Sequence, residues 1–307
     1  MPRYLPLCLT LLAVHCASAA ENVPAKDTLI FTSFRGNGED GLHLAYSRDG
    51  YAWTALKKDQ SFLKPTVGGK LMRDPCIMAG PDGTFHLVWT TGWRGEGGFG
   101  YASSKDLITW SEQRFIRAEQ PGGKNTWAPE LFYDAKKQQF LIFWATTIPG
   151  AFPETDKGGD MNHRIYYMTT KDFAEFSQPK LLFNPGCNCI DATIRQVAGK
   201  YVMFFKDERP GKKTLRMATA ADVEGPYENI TEPFTGDWVE GPSTIDIGGE
   251  IYVYFDHYAK PHYYGAVKSA DLQKWEDVSK KMSFPKDFRH GTVLRVSEGV
   301  LGKLMEQ

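Results

Sequence analysis

Four carboxylates stand in four short segments of similar pattern: Asp74 in "MRDPCI" (72–77), Glu130 in "WAPELF" (127–132), Asp191 in "CIDATI" (189–194) and Glu240 in "VEGPST" (239–244). A fifth segment, "RHGTVL" (289–294), carries His290 at the corresponding place. Acids crowded into a narrow, apolar-walled funnel cannot all keep ordinary acidity. Like charges and desolvation raise some pKa values and leave others low. That split suits glycoside hydrolysis, in which one carboxyl keeps its proton for a leaving oxygen and another, ionised, activates water. Such chemistry requires that elements far apart in the chain deliver these residues to one point.

A repeat supplies those elements. "LAYSRDGYAWTAL" (44–56), "GYASSKDLITWSEQ" (100–113), "YYMTTKDFAEFSQP" (166–179), "LRMATAADVEGPYEN" (215–229) and "YGAVKSADLQKWEDV" (264–278) each run from a β-prone stretch through small or hydroxyl residues to an Asp and then an aromatic. Apolar or alternating runs such as "FLIFWATTIP", "KYVMFFKDER" and "EIYVYFDHY" precede most of them, and helical periodicity is weak throughout. Repeats of roughly fifty residues with about four short strands each predict an all-β, five-bladed propeller. The N-terminal copy lacks an inner strand, and "FRHGTVLRV" near the C-terminus lacks outer ones. Joined, they form a closing blade that leaves no open sheet edge. "SEGVLGKLMEQ" is expected to make at most one short turn. A β-sandwich with incidental similarity is the competing fold.

In a propeller the innermost strand of each blade lines the axis, so the five opening segments meet at one funnel. The four carboxylates are expected at equivalent positions there. Pro75 and Pro242 fit strand mouths, where no ladder donor is needed. "VEGP" occurs a second time, at 223–226, but at the end of an outer strand. Glu240 is therefore read as chemical and Glu224 as part of a solvated rim turn.

A net charge of −1 gives no reason to expect a nucleic-acid or anionic-membrane partner. Residues 1–20, with Arg3, an apolar run and small residues at Ala17–Ala20, read as a secretory signal cut near Ala19 or Ala20. A lipid anchor at Cys16 is the alternative. Residues 21–307 then form one catalytic propeller domain, expected to be secreted or periplasmic, free of the membrane after cleavage, and monomeric. Of five cysteines, Cys76, Cys187 and Cys189 lie beyond the signal. An odd number is no disulfide framework, and a single bridge from Cys76 to Cys187 or Cys189 stays open.

The ordered set "RDPCI", "WAPELF", "CIDATI", "VEGPS" and "RHGT", one per blade, resembles glycoside hydrolase family 43, over residues 28 to 297. The resemblance implies inversion at the anomeric carbon, with Asp74 as general base, Glu240 as general acid and Asp191 as the acid that tunes and orients its partner. An inverting pair stands roughly 6.5–9.5 Å apart. Glu130 is expected either to bond sugar hydroxyls or brace the base, or to be a structural acid behind the site. Trp127 and Trp93 are expected at the pocket wall, and Arg35, Asn37 and Arg289 near the substrate. No cofactor is required, but some members hold calcium or another ion on the axis. His290 matches the residue that reaches such an ion through water, or else bonds neighbouring backbone. The insertion at 147–164 is a candidate pocket wall. The expected substrate is an oligo- or polysaccharide of plant type yielding arabinose, xylose or a similar sugar. The retaining fructan hydrolases lack support because their Asn-Asp-Pro-Asn opening is absent. A non-catalytic carbohydrate-binding propeller is the alternative function.

Overall fold

The computed structural model describes residues 28–95, 97–118, 122–156 and 161–307. The expected signal at residues 1–20, with Cys8 and Cys16, lies outside the described residues, as do positions 157–160 of the insertion. Five antiparallel sheets follow one another. Blade I comprises Arg73–Ala79, Phe85–Thr90, Gly98–Ser104 and Arg114–Arg117, from the axis outward. Blade II runs Trp127–Asp134, Gln139–Thr146, Arg164–Thr170, Lys180–Phe183; blade IV runs Val239–Ile247, Glu250–His257, Tyr263–Ser269, Glu276–Asp277. Blade III has three strands, Cys189–Val197, Lys200–Asp207 and Thr214–Ala220, with a lone bridge from Thr219 to Glu228 where a fourth would lie.

Blade V is the predicted closure. Val293–Val296 from the C-terminal end pairs with Thr28–Ser33, which continues outward to His43–Ser47 and Thr54–Ala55. Each inner strand touches the next, and that of blade V touches blade I, so the ring is complete. Beyond it the expected short turn is instead an α-helix, Glu298–Met305. Ser297 caps its N-terminus by accepting from Val300 N, and its apolar residues Leu301 and Leu304 are buried against blades V and I. One buried apolar pair three positions apart, in an eight-residue helix, was too short a pattern to register as helical periodicity.

The core is five clusters, one between each pair of adjacent blades. Between blades IV and V, Phe31 meets Trp53, Tyr254, Tyr264, Phe284 and Phe288 edge to face at 5.1–5.9 Å. The repeated hydroxyl-x-Asp pattern is a tight turn at the end of the third strand in blades I, II, IV and V; blade III has Ala220 in place of the hydroxyl residue. In blade I, Ser104 Oγ donates to Asp106 Oδ1 at 3.0 Å, and the same oxygen accepts from Ile108 N and Thr109 N at 2.9 and 2.7 Å. Ser47 and Asp49, and Ser269 and Asp271, repeat the arrangement. The Asp is thus spent on backbone donors, which explains its recurrence far from the axis.

Candidate active site

The inner strands share a second feature that places the chemistry. In blades I to IV the ladder skips: two residues of the inner strand face one of its neighbour, after Arg73, Trp127, Ile190 and Glu240. The first bulged residue is left-handed each time: Asp74 (φ 51°), Ala128 (φ 45°), Asp191 (φ 51°) and Gly241 (φ 59°). Asp and Gly tolerate that region better than most residues. In blades I, II and IV a proline follows, where the interrupted ladder needs no donor.

This register corrects the expectation that four carboxylates are equivalent. Asp74 and Asp191 are, and His290 of blade V joins them. Glu240 precedes the bulge, level with Arg73, Trp127 and Ile190. Glu130 lies two positions past Ala128, level with Cys76, Thr193 and Ser243, one layer deeper along the axis. There Glu130 is buried and accepts from Thr292 Oγ1 at 3.1 Å, Thr193 Oγ1 at 3.3 Å and Cys76 Sγ at 3.6 Å. Burial pushes its pKa up to about 7, against the pull of His290 and these donors. It lines another hollow on the axis rather than the cavity that holds Asp74, Asp191 and Glu240.

That cavity measures 260 Å³ and is lined by Asp74, Asp191, Glu240, His290 and Arg289, with Trp93 and Trp127 on one side and Tyr258 on the other. His290 is its hub. Its Nδ1 lies 3.3 Å from Asp74 Oδ1 and 3.9 Å from Asp191 Oδ2. Burial pushes the imidazole pKa down, but the Asp74 bond and the charges of Asp191, Asp74 and Glu240 raise it to about 9. The ring is thus a cation at neutral pH. Burial pushes Asp74 up, yet the bond and charge of His290, the Arg73 charge and Thr90 hold it at about 2. Thr90 Oγ1 donates to Asp74 Oδ2 at 2.9 Å. Asp191 goes the other way: burial, with repulsion from Glu240 and Asp74, outweighs His290 and Lys206 and raises it to about 7. Its Oδ2 accepts from Gly241 N at 3.1 Å, which ties it to the residue after Glu240. A Cβ on Gly241 would lie 2.3 Å from His290 Cγ, so glycine is required by both its φ and the imidazole.

Both Glu240 oxygens face cations. Lys206 Nζ donates to Oε2 at 2.9 Å and Arg289 Nη2 to Oε1 at 3.4 Å. Lys206 is buried, also contacts Glu208 at 2.8 Å, and sits 4.4 Å from the Tyr258 ring centroid. Arg289 is held in turn by Asp256, whose Oδ2 accepts from Nε at 2.6 Å. Lys206, Asp256, Thr90 and Tyr258 were not singled out from sequence. The one available sign was the lysine near the end of "KYVMFFKDER", since a charge that deep in an apolar strand needs a partner.

Other expected residues divide. Trp127 walls the cavity, and its Nε1 donates to Trp93 O at 2.9 Å. Trp93, 49 % exposed, stands edge-on to it at the mouth, 5.8 Å between centroids. Asn37 does not line the cavity but fixes this corner, its Oδ1 accepting from Trp93 Nε1 at 2.9 Å and Arg73 Nη1 at 3.2 Å. Arg35 is off the cavity: its guanidinium is occupied by Asp59 at 2.6 Å, Ser33 and Phe34 O. The described residues of the 147–164 insertion contribute no lining. His163 instead backs Trp127 at 4.9 Å. Glu224 is less solvated than expected. It clamps blade III to blade II through Lys137 Nζ at 2.5 Å and Tyr167 OH at 2.9 Å. Cys76, Cys187 and Cys189 are buried free thiols, so neither bridge forms.

Among the described residues no three His, Cys, Asp or Glu side chains converge on a metal-sized point. His290 Nδ1 faces the carboxylates of Asp74 and Asp191.

Comparison with known proteins agrees with this architecture. Part of the chain is 28 % identical over 119 residues to an α-L-arabinofuranosidase of Bifidobacterium longum subsp. longum, a match covering 35 % of this chain and 11 % of that protein. The structure is similar to an α-L-arabinofuranosidase from Lactobacillus brevis (TM-score 0.54, 20 % identity, 67 % of this chain and 72 % of the other). It is also similar to an α-L-arabinanase of Cellvibrio cellulosa complexed with arabinohexaose (TM-score 0.58, 14 % identity, 84 % and 95 %). At such identities these structures establish the fold. The family model described as "Probable glycosyl hydrolase domain", of the family 43-related type, matches residues 26–299. Spanning all five blades, that match shows that the chain belongs to the glycoside hydrolase family 43-related glycosyl hydrolases.

Proposed function

We propose that this chain is an exported, inverting glycoside hydrolase that releases arabinose, xylose or a similar sugar, galactose included, from plant-type polysaccharide. The carrying observation is the divergence of acidity inside one cavity: Asp74 held at about 2 and Asp191 raised to about 7, both against the same His290. Asp74, ionised throughout the physiological range, is the base that takes a proton from water at the anomeric carbon. Asp191, raised to about 7 by burial and by repulsion from Glu240 and Asp74, holds a proton beside Glu240 and passes it to that residue. Glu240 delivers it to the leaving oxygen. Lys206 and Arg289 fix the Glu240 side chain. His290 stays charged and orients Asp74. Trp93 and Trp127 wall the released sugar.

The pentose assignment draws on similar proteins named for arabinofuranosidase and arabinanase activity. Export draws on the amino-terminal pattern, and monomeric action on the absence of any sequence feature that calls for a partner. The test is a digest of arabinan, arabinoxylan and galactan followed by NMR of the products, which reports sugar, linkage and anomeric outcome together. A product released first with the substrate's own anomeric configuration would overturn inversion. Binding to these glycans without any turnover would instead support a carbohydrate-binding propeller.

A further inference from the structure

Trp238 immediately precedes the inner strand of blade IV, two residues before Glu240. Its φ is 61°, in the left-handed region where a bulky side chain is an outlier. The strain is not recovered by burial, because Trp238 is 46 % exposed. The backbone is nevertheless pinned on both sides: Tyr258 N donates to Trp238 O at 3.2 Å, and Val239 N to Lys213 O at 3.0 Å. A large apolar ring held in water by a strained backbone points to a ligand, since neither packing nor local preference accounts for it.

Its neighbour shows where that ligand comes from. The Trp238 ring stands 5.6 Å from Tyr258, at 73°, and Tyr258 lines the catalytic cavity. The aromatic surface is therefore continuous with the cavity on the Glu240 side, across from Trp93 and Trp127. A general acid must lie beside the oxygen that departs, so this is the side on which the leaving part of the substrate emerges.

We infer that Trp238 and Tyr258 form the subsite for the first sugar on the leaving side, a neutral ring that presents its C–H face to the indole. The inference rests on Glu240 being the acid of the proposed reaction. It makes this chain select oligosaccharides over glycosides of small alcohols. The neutral character follows from the two cations on Glu240, which already have carboxylates: Lys206 with Glu240 and Glu208, Arg289 with Glu240 and Asp256.

The test compares kcat/KM for the α-1,5-arabino-, β-1,4-xylo- and β-1,3-galactotrioses with that for the corresponding methyl glycosides. Trp238→Asn removes the ring while keeping a residue suited to left-handed backbone, and Trp238→Phe keeps an aromatic face. Trp238→Asn is expected to lower kcat/KM on the cleaved triose about tenfold, to leave the methyl glycoside within about twofold, and to keep the melting temperature. Trp238→Phe should restore most of the loss. Equal losses on triose and methyl glycoside, or none on either, overturn the subsite. Should the wild type cleave none of the trioses, the substrate assignment fails by itself. The subsite is then read by glycan-array capture: glycans retained by the wild type and lost by Trp238→Asn support it. Equal capture, or capture by neither, overturns it.

Discussion

His290 Nδ1 stands within 3.3 Å of one Asp74 oxygen and 3.9 Å of one Asp191 oxygen, so a single buried imidazolium is shared by the two carboxylates that the proposed chemistry needs in opposite states. The equal claims of two acids on one cation are not satisfied equally. Asp74 also has Thr90 and Arg73, and it keeps the charge; Asp191 faces Glu240, and it keeps the proton.

Asp74→Asn and Glu240→Gln should each lower kcat on a polysaccharide by about 10²–10⁴-fold with the melting temperature held within a few degrees. Glu240→Gln should lose far less on a dinitrophenyl glycoside, whose leaving group needs no proton, whereas Asp74→Asn should lose as much on both. Steady-state kinetics on the paired substrates check this. Equal losses for Glu240→Gln on both substrates would remove it from the acid role.

Glu130→Gln should leave kcat within a few-fold of the wild type, because Glu130 lies a layer below the cavity and bonds Thr292 and Thr193 through oxygens that an amide can partly replace. The variant should also melt about 2–5 °C higher at pH 8, where the wild type must hold a buried charge on a carboxyl whose pKa is raised to about 7. Calorimetry and a single activity assay suffice, and a hundredfold loss of kcat would show Glu130 bracing the base or bonding the sugar after all.

Stability should stay nearly level from about pH 5 to about pH 6.5, where buried His86 and His163, lowered to about 4, offset the two raised acids, and should fall from about pH 6.5 to about pH 9. Asp191 and Glu130, raised to about 7 from 3.8 and 4.5, bind their protons more tightly when folded, so stability is lost as pH climbs between those values. The contribution of His290, raised from 6.5 to about 9, is whole below 6.5 and gone above about 9. Asp74 acts in the reverse sense, but only as pH falls from 3.8 toward about 2. Melting curves across this range test the sign, and His290→Gln should flatten the part between about 6.5 and 9. A melting temperature that rises from pH 6.5 to 8 would contradict the assignment.

Glu224→Gln should leave activity within a few-fold while lowering stability by about 1 kcal/mol, since the half-exposed bridge to Lys137 is screened and the Tyr167 bond carries most of the effect. Chemical denaturation reads the loss. A collapse of activity would mean that the wrong one of the two "VEGP" segments was assigned to the cavity.

What could be read from the letters follows a physical division. Ring closure was legible because it depends on strand count and on which ends lack partners, as in "DTLIFTSF" and "FRHGTVLRV". The gathering of Asp74, Asp191, Glu240 and His290 was legible for the same reason. Depth along the axis was not. The offset between Glu240 and Glu130 is set by where the ladder skips, and "RDPC", "APEL", "DATI" and "EGPS" align equally well one or two letters apart. Lys206 escaped because its importance lies in a partner on another blade. Arg35's place off the cavity was not legible because its guanidinium turns to Asp59, in the 3-10 turn Lys57–Asp59.

The fifth blade takes its axial strand from the far end of the polypeptide and its three outer strands from the beginning. Arg289 and His290, two members of the cavity, sit just ahead of that last strand. Translation must therefore reach about residue 296 before the cavity can exist at all, and any nascent or clipped chain lacking that stretch would hold four unsealed blades and no hydrolytic centre. Competence to cut sugar is acquired in a single late step, at the moment the polypeptide finds its own beginning.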